Sequence, residues 1–250
     1  GAAITTGDYN VAVGYNALTA EDTGSRSTAI GYFALDTQNN DDANHNTAVG
    51  FTALEKTTTG QYNTGIGSQA LNANTTADNN TAVGYNALLV NTTGAGNTAV
   101  GDQSLDANTT AGDNTAVGYK ALTANTTGTS NTAVGKDALE ANTTASSNTA
   151  FGFKSLEANT TGDLNVAVGG NALKSNTVGD RAVAIGYNSL QAQAPTTNTD
   201  MYNIAIGLNA MFATTTGVQN TLIGHGAGDA LTDADYNVAL GVNALGADTQ

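Results

Sequence analysis

The chain writes "NTAVGYNALLVNTTGAG" from Asn80 to Gly96 and begins "NTAVG" again at Asn97. Aligned on the glycine that closes this motif, fourteen anchors appear: Gly14, Gly31, Gly50, Gly67, Gly84, Gly101, Gly118, Gly135, Gly152, Gly169, Gly186, Gly207, Gly224 and Gly241. Of the thirteen intervals eleven are 17 residues, one is 19 and one is 21. A short fixed period predicts a solenoid, because each repeat buries its apolar side only by stacking on its neighbours. The repeat fills residues 1–250 as one domain without a linker. It opens on Gly1 rather than Met and breaks mid-repeat at both ends, so it reads as a segment of a longer fibre whose end strands are capped by flanking domains or by neighbours.

Within each repeat the residue before the glycine is apolar, mostly Val or Ile, with Phe151 and Leu240 as variants. Two before it stands Ala in twelve coils, with Gly65 and Leu222 as exceptions. Three before it is Thr, Val or Ile, and four before it is Asn except at Ser27 and Ala182. Alternation of β-branched and small residues is the period-two signature of a short strand. The position after the glycine holds Tyr15, Tyr32, Asp102 or Lys136, so it is not core, and the strand ends or bends at the glycine. Four past the glycine comes Leu in twelve coils, with Met211 and Gly228 as variants. The Leu column and the Val or Ile column are both expected to stack as internal ladders. "ANTTG" then closes the coil as a polar turn, and it breaks any helix. Fourteen coils at about 4.8 Å give a rod on the order of 65 Å, with stacked Asn side chains bonded in ladders.

Composition supports this reading. Thirty glycines, five Phe and no Trp leave few bulky groups for a globular core. The formal net charge is −14 and the seven cations are scattered, which excludes a phosphate-binding patch and hence nucleic acid as a partner. Cysteine is absent, so disulfides and thiolate metal sites are excluded. No apolar run reaches the roughly 18 residues of a membrane span, so no membrane insertion is expected of this segment.

"NTAVG", "NVAVG" and "NIAIG" resemble the head repeats of trimeric autotransporter adhesins, and the longer unit "NTAVGYNAL…NTTG" resembles the repetitive shafts of phage tail fibres and bacterial surface fibres. The resemblance runs through all fourteen copies. It implies a left-handed parallel β-roll with three chains around one axis, and a role in adhesion or as a spacer. Head repeats of those adhesins are usually shorter than seventeen residues, and no stalk, anchor or chaperone segment is recognisable in this chain. The Ala column adds a physical reason for self-association as a homotrimer or filament, since a flat face of Ala and Thr lets another backbone approach closely. Its other reading is that Ala fits a narrow coil interior.

The two long intervals are expected to emerge as surface loops, "DTQNNDDANHN" (36–46) and "QAQAPTTNTDMYN" (191–203), the second stiffened by Pro195. Asp36, Asp41, Asp42 and His45 offer oxygen and nitrogen ligands to a cation but lack the ordered spacing of a Ca²⁺ loop. Asp8, Asp78, Asp113, Asp163 and Asp235 recur just before the repeat Asn, as acidic edges or as ordinary surface charge. "GHGAG" (224–228) mimics a phosphate loop without its Lys or helix and reads as a degenerate coil. "NTT" matches the N-glycosylation sequon, yet the repeat uses Asn and Thr structurally. Two His, no Cys and no paired carboxylates outside loops leave no catalytic constellation and no cofactor or metal site, so no enzyme is expected. The expected function is a structural or adhesive fibre outside the cell or on a virion, with a surface receptor or glycan as its partner. The alternative is an ice-binding solenoid, because regular Thr columns suit an ordered water surface. A lyase-like β-helix lacks the clustered acids and bases it would need.

Overall fold

Ala sits between two β-branched residues in each "TAV" segment, and these segments form the strands. The computed structural model describes residues 4–40 and 43–246, among which there is no helix. The chain divides into two compact units, Gly1–Thr127 and Gly128–Gln250. In the first, β1 (Val11–Val13), β2 (Thr28–Ile30), β3 (Thr47–Val49), β4 (Thr64–Ile66), β5 (Thr81–Val83), β6 (Thr98–Val100) and β7 (Thr115–Val117) follow one another in a parallel sheet. The second holds β8 (Thr132–Val134), β9 (Thr149–Phe151), β10 (Val166–Val168), β11 (Gly179–Asp180), β12 (Val183–Ile185), β13 (Thr199–Asp200), β14 (Ile204–Ile206), β15 (Thr221–Ile223) and β16 (Val238–Leu240). Its seven three-residue strands pair in parallel, and the two-residue β11 and β13 pair separately. Register is strict: Thr98 lies opposite Thr115, Ala99 opposite Ala116 and Val100 opposite Val117. The chain is an all-β parallel solenoid of about thirteen turns with a seventeen-residue spacing.

Leu18, Leu35, Leu54, Leu71, Leu88, Leu105 and Leu122 are fully buried in the first unit, as are Leu139, Leu156, Leu173 and Leu190 in the second. This is the expected ladder, but its backbone is unexpected. Every one of these leucines has φ between 49° and 54°, in the left-handed region. That conformation costs about 1–2 kcal/mol per residue. Burying a Leu side chain returns about 1.5–3 kcal/mol, and a backbone bond between coils fixes the turn, as Leu88 N–H does on the Ser104 carbonyl at 3.0 Å. The strand-closing glycine has a different reason. Gly84 takes φ +142°, and a Cβ there would run into the carbonyl of Gly101 one coil on. Glycine is required at this column because backbone packs on backbone.

Two columns exchange places with the expectation. The Val and Ile before the glycine do not line the interior: Val83, Val100 and Val117 are half-buried, and Ile30, Ile66 and Phe151 are exposed. The Ala column is the internal one, fully buried at Ala82, Ala99, Ala116, Ala133 and Ala167, so it offers no face to another chain. The interior beside the Leu ladder has room for a methyl group and little more. In a three-residue strand, turning Ala inward turns both β-branched neighbours outward.

Two amide ladders complete the interior. Asn80 Oδ1 accepts the Asn97 N–H at 2.9 Å, and Asn80 Nδ2 donates to the Gly94 carbonyl at 2.9 Å. Seven residues past the glycine a second column runs side chain to side chain: Asn91 donates to Asn74 and Asn108 to Asn91, at 3.2 and 2.9 Å. Each Asn here is buried, so the ladders satisfy groups that water cannot reach.

Candidate interaction surface

The outward face of each coil carries four side chains at alternate positions: the residue before the Asn, the two β-branched strand residues, and the residue after the glycine. In the first unit these read Tyr9, Val11, Val13, Tyr15, then Arg26, Thr28, Ile30, Tyr32, then His45, Thr47, Val49, Phe51. Stacking follows the coil spacing: Tyr15 on Tyr32 and Tyr32 on Phe51, both at 5.4 Å, and His45 on Tyr62 at 5.2 Å. Arg26 lies over Tyr9 at 5.7 Å. In the second unit the face is mostly apolar from β9 to β16, including Phe151, Phe153, Ile185, Ile204, Leu208 and Val238, and Ser147, Thr149, Arg181, Gln219, Thr221 and His225 interrupt it. A contiguous apolar surface of this kind marks an interaction site.

The turn side is polar. Thr75, Thr92 and Thr109 each donate a hydroxyl hydrogen bond to the Thr carbonyl one coil on, whereas Thr76, Thr93 and Thr110 are exposed. The sequon asparagines Asn74, Asn91, Asn108, Asn142 and Asn159 are buried, which removes them as glycan acceptors in the folded chain. Aspartates before the repeat Asn have a structural task. Asp78 Oδ1 accepts the Gln61 N–H at 2.7 Å, Asp163 that of Ser146 at 2.6 Å, and Asp235 that of Val218 at 2.8 Å. These three satisfy backbone donors of the preceding coil, whereas Asp113 is exposed in the outward edge column.

The first long interval separates its candidate ligands. His45 joins the outward face, while Asp36 lies half-buried five residues past Gly31. Burial holds the Asp36 carboxyl above the usual carboxylate range, with nearby Glu55 adding to the shift and a hydrogen bond involving Thr19 opposing it. Asp41 and Asp42 lie outside the described residues. In the second interval Pro195 and Met201 are buried, Thr196–Asn198 are exposed, and Arg181 is ion-paired to Asp200. Sequence reading missed what the two intervals share. Each puts a Gln in the second amide column, and its extra methylene lets it bridge both amide columns. Gln38 donates to buried Glu21 and accepts from Asn46, both at 2.7 Å; Gln193 donates to Asn176 at 3.2 Å and accepts from Asn203 at 3.0 Å. The signal in the sequence was Gln standing at the Asn position only in the long coils.

"GHGAG" is an ordinary turn: Gly226 and Gly228 take φ +62° where other coils place left-handed Asn and Leu. Sequence reading also missed a carboxylate group on neighbouring coils, Asp137, Glu140 and Glu157, whose oxygens lie within 4.8 Å of one another. Lysines pair with two of its three members, Lys136 with Asp137 at 3.9 Å and two others with Glu157. Lys154 Nζ is 2.5 Å from Glu157 and Lys174 Nζ 3.5 Å, and the hydrogen bond to Glu157 raises the Lys154 pKa. Among the described residues no helix is long and apolar enough to cross a membrane. Comparison with protein-family models, with curated proteins and with solved structures finds no match.

Proposed function

We propose that this chain is a structural, adhesive fibre segment, a solenoid shaft or head outside the cell or on a virion that spaces or presents binding surfaces, and that it works as a homotrimer able to extend into a filament. The supporting observation is the division of labour within each coil. The Leu, Ala and Asn columns complete the interior of a single chain, yet the outward strand face keeps a Val or Ile column half-buried to exposed beside its Thr column in the first unit and is mostly apolar in the second. A monomer gains nothing from exposing such a face, whereas copies of itself bury it. The regular resemblance of "NTAVG" to adhesin heads and fibre shafts points the same way. Light scattering at micromolar concentration is expected to give about three times the 24.9 kDa chain mass or a filament. A monodisperse monomer would overturn the assembly reading.

One observation favours a second reading. Thr47, Thr64, Thr81, Thr98 and Thr115 lie in register on the outward sheet face, an arrangement suited to ordering water. Val166, Val183 and Ile204 interrupt the same column in the second unit, and assembly through this face would cover it. Thermal hysteresis and ice shaping are therefore expected to be absent at millimolar protein, and clear faceting of ice would reverse the ranking.

A further inference from the structure

Seven residues past the glycine, the buried column is built of side chains that do not ionise, with one exception. Through the first unit it reads Glu21, Gln38, Thr57, Asn74, Asn91, Asn108 and Asn125. Glu21 alone among them is ionisable, and it is fully buried. The amides share one direction, Asn91 donating to Asn74 and Asn108 to Asn91, each towards the preceding coil. Gln38 follows the same rule, so the column ends at Glu21, on a carboxylate that only accepts.

Three donors converge on that carboxylate. The Gly24 N–H reaches Oε1 at 2.7 Å, and Gln38 Nε2 and Asn44 Nδ2 reach Oε2 at 2.7 and 3.0 Å. No basic side chain pairs with it among the described residues. Around it, Asp22 accepts from the Thr23 hydroxyl at 3.2 Å, Asp36 is half-buried in the next coil, and Asp8, Arg26 and His45 are exposed. A proton on Oε2 would set a donor against two donors. Asn44 Oδ1 is a buried acceptor without a partner, but it meets Glu21 only if the amide turns over and gives up its present bond. Asn44 also ties neighbouring coils, its N–H donating to the Ser25 carbonyl and its carbonyl accepting the Tyr62 N–H, both at 2.9 Å. Thr57, whose buried hydroxyl has no partner, separates Glu21 and Gln38 from the amide ladder that begins at Asn74. We propose that Glu21 is an acid-operated latch: ionised, it gathers the first coils through three N–H donors, and protonated, it releases them while the regular coils stay closed. The latch works within one chain and is independent of how copies associate.

Hydrogen exchange at two amides tests this. The Gly24 N–H is held by the Glu21 carboxylate, and the Asn97 N–H by the Asn80 amide oxygen at 2.9 Å. Corrected for the intrinsic effect of pH, protection of Gly24 is expected to fall at least about tenfold from pH 7 to pH 3, with Asn97 unchanged. Glu21→Gln places a donor there at every pH. It should remove the pH dependence, leaving Gly24 as open at pH 7 as in the parent at pH 3. Asp36→Asn, and Asp41→Asn with Asp42→Asn, should keep the fall, since those carboxylates take no part in the latch. Equal loss at Gly24 and Asn97, no loss at Gly24, or a loss that survives Glu21→Gln overturns it. Should Glu21→Gln not fold, the parent and the aspartate variants still decide, because a fall that disappears in either variant places the proton elsewhere.

Discussion

The coil of β5 and the coil of β15 fill the same interior with different residues. The first puts Ala82 in the strand and Leu88 in the turn, both fully buried. The second puts Leu222 in the strand and Gly228 in the turn, with Leu222 fully buried. A Cβ on Gly228 would collide with Leu222 Cδ2, so the large strand residue occupies the space of the missing turn leucine. The exchange keeps interior volume to within a methyl group while both identities change. What the two coils share without exchange is the closing glycine, Gly84 at φ +142° and Gly224 at φ +146°. Side-chain volume is negotiable within a coil, and backbone approach between coils is not.

The largest expected effect tests that shared element. Gly84→Ala forces a Cβ into the Gly101 carbonyl and strains the backbone, so it should cost about 4 kcal/mol. Gly207→Ala should cost the same, since its Cβ would meet the Gly224 carbonyl. Urea denaturation measures both. A loss below about 1 kcal/mol at either site would mean that coils separate easily and that glycine is not a backbone requirement there.

The exchange itself predicts a double-mutant cycle. Leu222→Ala alone leaves a cavity beside Gly228 and should cost about 3 kcal/mol. Gly228→Leu alone overpacks against Leu222 and should also destabilise, by about 1–3 kcal/mol. Together they recreate the arrangement of Ala82 and Leu88, and the double variant should lie within about 1 kcal/mol of the parent. Additive losses would show that the two residues do not share one volume.

The period, the strands, the Leu ladder and the Asn ladders were all legible in the sequence, because each recurs with a fixed offset from the glycine. Which strand face turns inward was not. Alternation in "TAV" marks two faces, but hydrophobicity alone favours burying Val over Ala; the width left beside Leu88 and its neighbours decides for Ala. Left-handed leucines were invisible for a related reason. Local preference argues against them, and only stacking between coils outweighs it. The Leu222–Gly228 exchange was visible as two exceptions in one coil and could have been paired by volume. Nothing in single positions announced the outward face, since Tyr32, Asp102 and Lys136 in one column look like solvent exposure until the flanking Thr and Val columns are known to lie beside them.

A smaller effect is expected where the regular coils hold themselves together by amides. Asn97 Oδ1 accepts the Asn114 N–H at 3.0 Å and Asn97 Nδ2 donates to the Ala111 carbonyl at 2.9 Å. Asn97→Ala leaves one buried donor and one acceptor without that partner, a loss of about 2 kcal/mol. Asn165 offers the contrast. Its Oδ1 accepts the Ala182 N–H at 2.9 Å, so the ladder continues onto a residue that has no amide of its own. Because the bond is to backbone, Ala182→Asn should change stability by less than about 1 kcal/mol. Hydrogen exchange at the Asn114 amide would report the first loss directly, and unchanged protection in Asn97→Ala would mean that another group takes over.

The smallest effect belongs to the long coil and is distinguished by its pH dependence. Regular coils do not require a charge at the position of Asp36, since Asn72, Leu89 and Thr123 stand there as well as Glu55, Asp106 and Glu140. Burial raises its pKa in the folded state above the ordinary 3.8, so the fold binds the proton more tightly than the unfolded chain does. The stabilisation from protonated Asp36 is therefore fully present below the ordinary value and is lost as pH rises through the raised folded value. At neutral pH the ionised carboxylate is slightly unfavourable, and Asp36→Asn should raise the melting temperature a little. Below the ordinary carboxylate range Asp36 is neutral in both states, and the advantage of the Asp36→Asn variant over the parent should shrink towards zero. Melting curves of both chains from pH 7 to pH 3 measure the difference. A gap that stays constant over this range, or widens towards acid, would mean that the carboxylate of the long coil is as comfortable charged as any surface aspartate.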